Sequence, residues 1–245
     1  MVGATRKVEP IETFGFAPGR ILAGKYEVVD CLGAGWEGEV YKVCELVTGI
    51  DRAVKLFFPH RQTTSNMLKW YAKKLHKLHA CPMVIQYQTQ ETMRFRGQSL
   101  SFLVSEYVHG NLLSEFLKER RGAKLTFYEA LHLLYALAEG MESIHHLNEY
   151  HGDLHTENII VCRQGLKFEL KLLDLYHWKA PRRENIQDDV CDLIRIFYDV
   201  LGGAKTYSSH PQVVKDVCCG LKRSLILKKF KTAGQLRKYL ELIEV

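Results

Sequence analysis

Apolar residues alternate with polar ones through the first third of the chain and then switch to a helical period. Between residues 26 and 58 the alternation predicts three strands, Tyr26–Leu32, Glu39–Glu45 and Arg52–Phe57, rich in Val, Tyr and Phe. The Gly33–Gly38 stretch and the Thr48-Gly49 turn separate them, and Pro59 closes the third. Leu68, Tyr71, Leu75 and Leu78 then recur on one face of a helix over about 66–79, with Lys69, Lys73 and Lys77 elsewhere around it. Two further strands, Val84–Thr89 and Leu100–Glu106, flank a turn at Arg96-Gly97-Gln98. Beyond them the period is helical. Thr126 followed by Glu129 is a capping box, and Ala130, Leu133, Leu134, Leu137, Met141 and Ile144 trace the buried stripe behind it. A hairpin is predicted over Asn158–Arg163 and Glu169–Leu173, and helices over about 187–201, 211–227 and 232–243. Residues 1–20, with Pro10, Pro18 and several glycines, read as a weakly structured extension. The outline is α+β, a small β-rich part followed by a larger helical one, without internal repeats.

Composition narrows the setting. The 245 residues are 47% hydrophobic, enough for a substantial core, and carry a formal charge of +6, which suits anionic ligands such as nucleotides. The basic residues are dispersed and accompany no recognition motif, so nucleic acid is not expected as a partner. Seven cysteines, an odd number without C-x-x-C spacing, read as reduced and mostly buried thiols of a cytoplasmic protein. Neither a signal-peptide core nor a run approaching ~18 apolar residues is present, so no membrane association is expected.

Three segments carry chemistry. In Gly33-Ala34-Gly35-Trp36-Glu37-Gly38 the glycines lie between two strands, which disfavours a strand-to-helix dinucleotide turn and favours a hairpin whose bare backbone approaches polyphosphate. Lys55, in Arg52-Ala53-Val54-Lys55-Leu56-Phe57, is then in reach of α and β phosphates, with Val40 and Ala53 over an adenine. The sharpest segment is His151-Gly152-Asp153-Leu154-His155-Thr156-Glu157-Asn158. Phosphoryl transfer needs a group that orients and deprotonates the attacking hydroxyl, and oxygen ligands for magnesium. Asp153 suits the first task and Asn158 the second. Leu172-Leu173-Asp174 ends an apolar strand on a further carboxylate, the natural second metal ligand.

Together these residues resemble the eukaryotic-type protein kinase superfamily, in a compact, bacterial-type Ser/Thr form, over about residues 25 to 200. The resemblance implies a two-lobed fold, with an N-lobe over 21–108, a C-lobe over 109–245 and an extension over 1–20. It implies ATP and Mg2+, with a protein hydroxyl or a small hydroxyl-bearing molecule as acceptor. Leu103-Val104-Ser105-Glu106-Tyr107-Val108 resembles the hinge, where backbone groups of Glu106 and Val108 meet the adenine edge; Ile160 joins the nucleotide contacts. Ser105 falls at the gatekeeper position. His155 stands where such kinases carry a lysine near the γ-phosphate, and Asp189, opening Asp189-Val190-Cys191-Asp192-Leu193, is the residue that braces the catalytic loop.

The pattern also departs from the family. No Asp or Glu occurs between Asp51 and Glu91, so the 66–79 helix offers Lys55 no carboxylate; Asp174, Tyr71 and Glu37 are the candidate partners. Gly152 replaces the arginine that answers an activation-loop phosphate, and no Ser or Thr lies between Asp174 and Asp189, where Tyr176 is the only hydroxyl. Leu175-Tyr176 follow Asp174 in place of Phe-Gly, which restricts flipping of that loop. The segment is short, with Lys179, Arg182 and Arg183 lining it, and Phe230 stands where many kinases carry an arginine. His-Gly-Asp-Leu-His also resembles aminoglycoside and choline kinases, for which an acidic pocket beside Asp153 would speak. The missing carboxylate partner of Lys55 leaves a third reading, a pseudokinase that uses the fold for docking.

Overall fold

A computed structural model describes residues 10–61, 65–165, 167–175 and 182–243. It divides into two compact units. The first takes the described residues up to Lys73 together with Gln86–Tyr107, and the second takes Lys74–Ile85 together with the described residues from Val108 onward.

The first unit is built on an antiparallel sheet of β1 (Ile21–Leu22), β2 (Tyr26–Ala34), β3 (Gly38–Glu45), β4 (Asp51–Phe57), β5 (Tyr87–Phe95) and β6 (Gln98–Glu106), in the order β1-β2-β3-β4-β6-β5. Directly opposed residues of a sheet share a face. Val40 pairs with Lys55, Lys42 with Ala53, and Ala53 with Ser105, so these five line one face. Glu39 pairs with Leu56 and Tyr41 with Val54, while Val54 and Leu56 pair with Val104 and Phe102, so the other face is Glu39, Tyr41, Val54, Leu56, Phe102 and Val104. All six are buried. What covers that second face includes the segment expected to be weakly structured. Ile11, Phe14 and Phe16 join Val28, Tyr41, Val43 and Leu56 in a single core. Residues 10–20 form a strap whose Ile11, Phe14 and Phe16 are each at most 5% exposed, and this apolar burial favours its order.

The strand expected at Val84–Thr89 is displaced: β5 begins at Tyr87, and Val84 instead bridges Leu172 in the second unit. The turn between β5 and β6 falls as expected, with Arg96 and Gly97 both at positive φ. Helix α1 covers Ser65–Lys77.

In the second unit α3 (Phe127–His146) is central. Its Thr126/Glu129 capping box is formed, and the predicted stripe from Ala130 to Ile144 is its buried face. Helices α4 (Arg183–Val200) and α7 (Ala233–Glu241) pack against it. A short strand β7 (Asn111–Leu112), unforeseen along with α2 (Leu113–Lys118), pairs with β8 (Ile159–Gln164), which pairs in turn with β9 (Lys167–Leu172). The helix expected over 211–227 is two helices, α5 (Gln212–Cys218) and α6 (Arg223–Lys229). Cys219, Gly220 and Leu221 all lie at positive φ, a left-handed run that ends one helix before the next begins. The seven cysteines are unpaired, as expected, but only Cys81 and Cys218 are buried and Cys31 is exposed. Phe230 is buried at the end of α6, edge-on to Tyr239. Among the described residues no helix is long and apolar enough to cross a membrane.

Candidate active site

The glycine hairpin joins β2 to β3. Gly35 N donates to Gly38 O at 2.9 Å, and Phe58 N at the end of β4 donates to Glu37 O at 2.9 Å, so the hairpin is held from within and from its neighbour. Its glycines do different work. A Cβ on Gly38 would meet Leu56 O at 1.8 Å, so this position is glycine because β4 packs against it. Gly33 and Gly35 have nothing within 4 Å of that position, which leaves their backbone open to a ligand. Lys55 extends from β4 on the face it shares with Val40 and Ala53, and Nζ lies 3.3 Å from Glu37 Oε2. Of the partners weighed for this lysine, the loop carboxylate is thus one that meets it. Glu106 closes β6, with its amide on Gln86 O and its Oε1 accepting from Gln86 N, both at 2.9 Å. Gly33, Gly38, Val40, Ala53, Lys55 and Glu106 therefore belong to one sheet, and Gly35 lies in the turn between two of its strands.

In the second unit the 151–158 loop is fastened at both ends. Asp189 of α4, wholly buried, accepts from His151 N at 2.9 Å and from Gly152 N at 2.8 Å, and His145 Nε2 lies 3.0 Å from its Oδ2. Gly152 sits at φ 85°, a conformation that an arginine would adopt only at a cost, so the glycine serves the backbone path that brings its amide to Asp189. His151 Nδ1 accepts from Asp153 N at 3.3 Å; burial pushes this imidazole down to about 4, so it stays neutral near pH 7. The Asp153 side chain remains largely exposed, with Oδ2 3.6 Å from His155 Nε2. At the far end Asn158, mostly buried, donates from Nδ2 to Asp153 O at 2.8 Å, which leaves Oδ1 as the amide oxygen for a cation.

Strand pairing brings in the third oxygen-bearing residue. Ile159 pairs with Leu172, and Leu173 N donates to Asn158 O at 2.9 Å, so Asp174 emerges from β9 beside the Asn158 end of the loop. Asp174 adopts φ 53°, uncommon for a residue with a Cβ. Ile160 lies on β8 and Val108 at the start of this unit's second segment. Tyr176 and Lys179 lie outside the described residues; Arg182 and Arg183 are exposed at the start of α4.

A family comparison covers most of this architecture: residues 26–194 match the protein kinase domain. The chain belongs to the protein kinase domain family. Among curated proteins, this kinase domain is 24% identical over 151 residues to a probable serine/threonine-protein kinase of Dictyostelium discoideum, across 62% of this chain and 29% of that protein. It is 26% identical to the serine/threonine-protein kinase PknG of Mycobacterium leprae, across 65% of this chain and 21% of that one, and 30% identical to a putative cyclin-dependent kinase F-2 of rice, across 61% and 46%. The chain thus spans less than half the length of these relatives. The kinase domain of PknI from Mycobacterium tuberculosis superposes with a TM-score of 0.67 over 92% of this chain and 96% of that one, at 19% identity. The fold is the two-lobed α+β fold of kinase domains.

Several site features escaped the sequence. Lys74 was lost among the other lysines of α1, yet it falls on the 71-74-75-78 stripe and is buried, with Nζ donating to Tyr150 O at 2.6 Å. Glu39, next to Gly38, is buried at 4% exposure under the strap. Asp192 has its pKa pushed up to about 7, first by burial and then by the charges of Asp189, Asp188 and Asp153.

Proposed function

We propose that this chain is an ATP- and magnesium-dependent protein kinase that transfers the γ-phosphoryl group to a Ser or Thr hydroxyl. The observation that carries the reading is the clamped loop: Asp189 holds its first two amides, Asn158 returns to Asp153 O, and the β8–β9 register sets Asp174 next to Asn158. Magnesium bound there would neutralise charge on the phosphates. Asn158 Oδ1 and the Asp174 carboxylate are the oxygens assigned to it, a hard donor set that suits this cation once phosphate oxygens and waters complete the shell. Asp153 accepts the proton of the acceptor hydroxyl, and its exposure leaves it accessible to a substrate. His155, within 3.6 Å of Asp153, is assigned to the γ-phosphate. Lys55 and the backbone of Gly33 and Gly35 are assigned to the phosphates, and Val40, Ala53, Glu106, Val108 and Ile160 to the adenine. Positioning and electrostatics supply most of the rate in this chemistry.

The decisive experiment is transfer from γ-labelled ATP to generic proteins, wild type beside Asp153→Asn. The wild type should label protein, and the variant should lose activity by about 100-fold or more while nucleotide binding persists. Binding without any transfer by the wild type would instead support the docking-module reading. The second reading is a small-molecule acceptor, since His151-Gly152-Asp153-Leu154-His155 also resembles aminoglycoside and choline kinases, although Asp188 is paired with Arg223 and Asp189 is wholly buried. Labelling of an aminoglycoside or amino alcohol in preference to protein would establish that alternative.

A further inference from the structure

The outer face of the first unit's sheet is closed by a strap that catalysis does not account for. Ile11, Phe14 and Phe16 are buried there, and Glu39 gathers three of the strap's hydrogen bonds at one point. Glu39 Oε1 accepts from Thr13 Oγ1 at 2.7 Å and from Phe14 N at 3.0 Å; Oε2 accepts from Gly15 N at 3.2 Å and from the Tyr41 hydroxyl. Three of these four donors come from the strap. Burying a carboxylate costs several kcal/mol unless donors saturate it, and here they do. The burial that opposes ionisation is outweighed by the hydrogen bonds from Tyr41, Thr13, Phe14 and Gly15, which hold the Glu39 pKa below the ordinary carboxylate value.

The position of this anchor matters more than its strength. Glu39 directly follows Gly38 and pairs with Ala34 across the hairpin and with Leu56 across β4. Phe16 N donates to the Tyr41 hydroxyl at 3.1 Å, two residues further along β3. Phe14 stacks on Phe58 at 5.1 Å, and the Phe58 amide is the one that holds Glu37 O. The strap therefore grips β3, one of the two strands that frame the glycine hairpin, and the chain just past β4, whose Phe58 amide holds Glu37 O of the hairpin.

We propose that Glu39 is a positioning residue for the glycine hairpin, acting through the strap of residues 11–16. The strap converts a hairpin that would otherwise be free on its outer side into one held in a single backbone path. This deepens the nucleotide reading, on which the binding half of its test rests. Amide hydrogen exchange of the ligand-free protein provides the other half.

In Glu39→Gln, which keeps the shape and removes the charge, exchange over residues 33–38 should quicken by about tenfold while β5 and β6 are unchanged. Titration calorimetry with Mg·ADP should show binding weakened by about fivefold, partly restored in Glu39→Asp. If Glu39→Gln does not fold, Thr13→Val removes a single donor, and about a threefold effect over the same residues is expected. Unchanged exchange at 33–38, or a uniform acceleration across the whole sheet, overturns the proposal. A wild type that binds no Mg·ADP would defeat the nucleotide reading while the exchange measurement still decides the role of Glu39.

Discussion

A lysine ammonium taken out of water must find acceptors or lose its proton, and Lys74 shows the balance at the scale of one residue. Its Nζ donates to Tyr150 O at 2.6 Å and lies 4.8 Å from the Tyr150 ring centre, just ahead of the 151–158 loop. Burial lowers its pKa to about 8, against the opposing pull of Glu149 and Asp189. Because the folded pKa lies below the unfolded value of 10.5, the unfolded chain binds the extra proton between those limits. Stability contributed by this group therefore rises with pH from about 8 to 10.5 and is at its lowest below that window. Denaturant unfolding of wild type and Lys74→Met across the window should show the wild type gaining on the order of 2–3 kcal/mol relative to the variant. Equal slopes would mean that the lysine keeps its proton as easily folded as unfolded.

At the scale of elements, the strap and the sheet depend on each other. The face bearing Tyr41, Val54, Leu56 and Phe102 is too apolar to stand in water, and residues 11–16 are too few to fold alone. Phe14 is 5% exposed, with Phe16 and Phe58 ring centres at 5.6 and 5.1 Å. Phe14→Ala should cost about 3–5 kcal/mol in chemical denaturation, the range for truncating a buried aromatic. Trp70→Ala, at an exposed position of α1, serves as the control and should change stability by less than about 0.5 kcal/mol. In the second unit the same logic runs through one polar residue. Asp189 ties α4 and α3 to the loop, since it accepts two loop amides and contacts His145.

At the scale of the whole molecule, the departures from the family agree with one another. Gly152 stands in place of the arginine that would read an activation-loop phosphate, and no Ser or Thr is available between Asp174 and Asp189 to carry one. Its φ of 85° gives the glycine a structural use of its own. Activity should therefore be independent of Ser/Thr phosphorylation in that segment. Treatment with a broad-specificity Ser/Thr phosphatase before a γ-labelled ATP assay should leave the rate unchanged within about twofold; loss of activity would point to a phosphosite elsewhere that holds the active state.

Local order was legible from residue pattern because it depends on neighbours in sequence: the strand alternation, the capping box and buried stripe of α3, and the spacing of Asp153 and Asn158 on one loop. The bracing role expected of Asp189 rests on the resemblance to kinases, and its bonds to the His151 and Gly152 amides agree with it. Three things were decided only in three dimensions. The strap at 10–20 reads as loose because of its prolines and glycines, and a sheet face from later in the chain orders it. Glu39 and Lys74 carry no signal of their own in the sequence, because nothing near them reveals the donors at residues 13–15 or the carbonyl at Tyr150. The strand foreseen from Val84 starts three residues later because that valine pairs with Leu172. Burial is a property of surfaces brought together across long stretches of chain, and a charged side chain shows its role only once its distant partners have desolvated it.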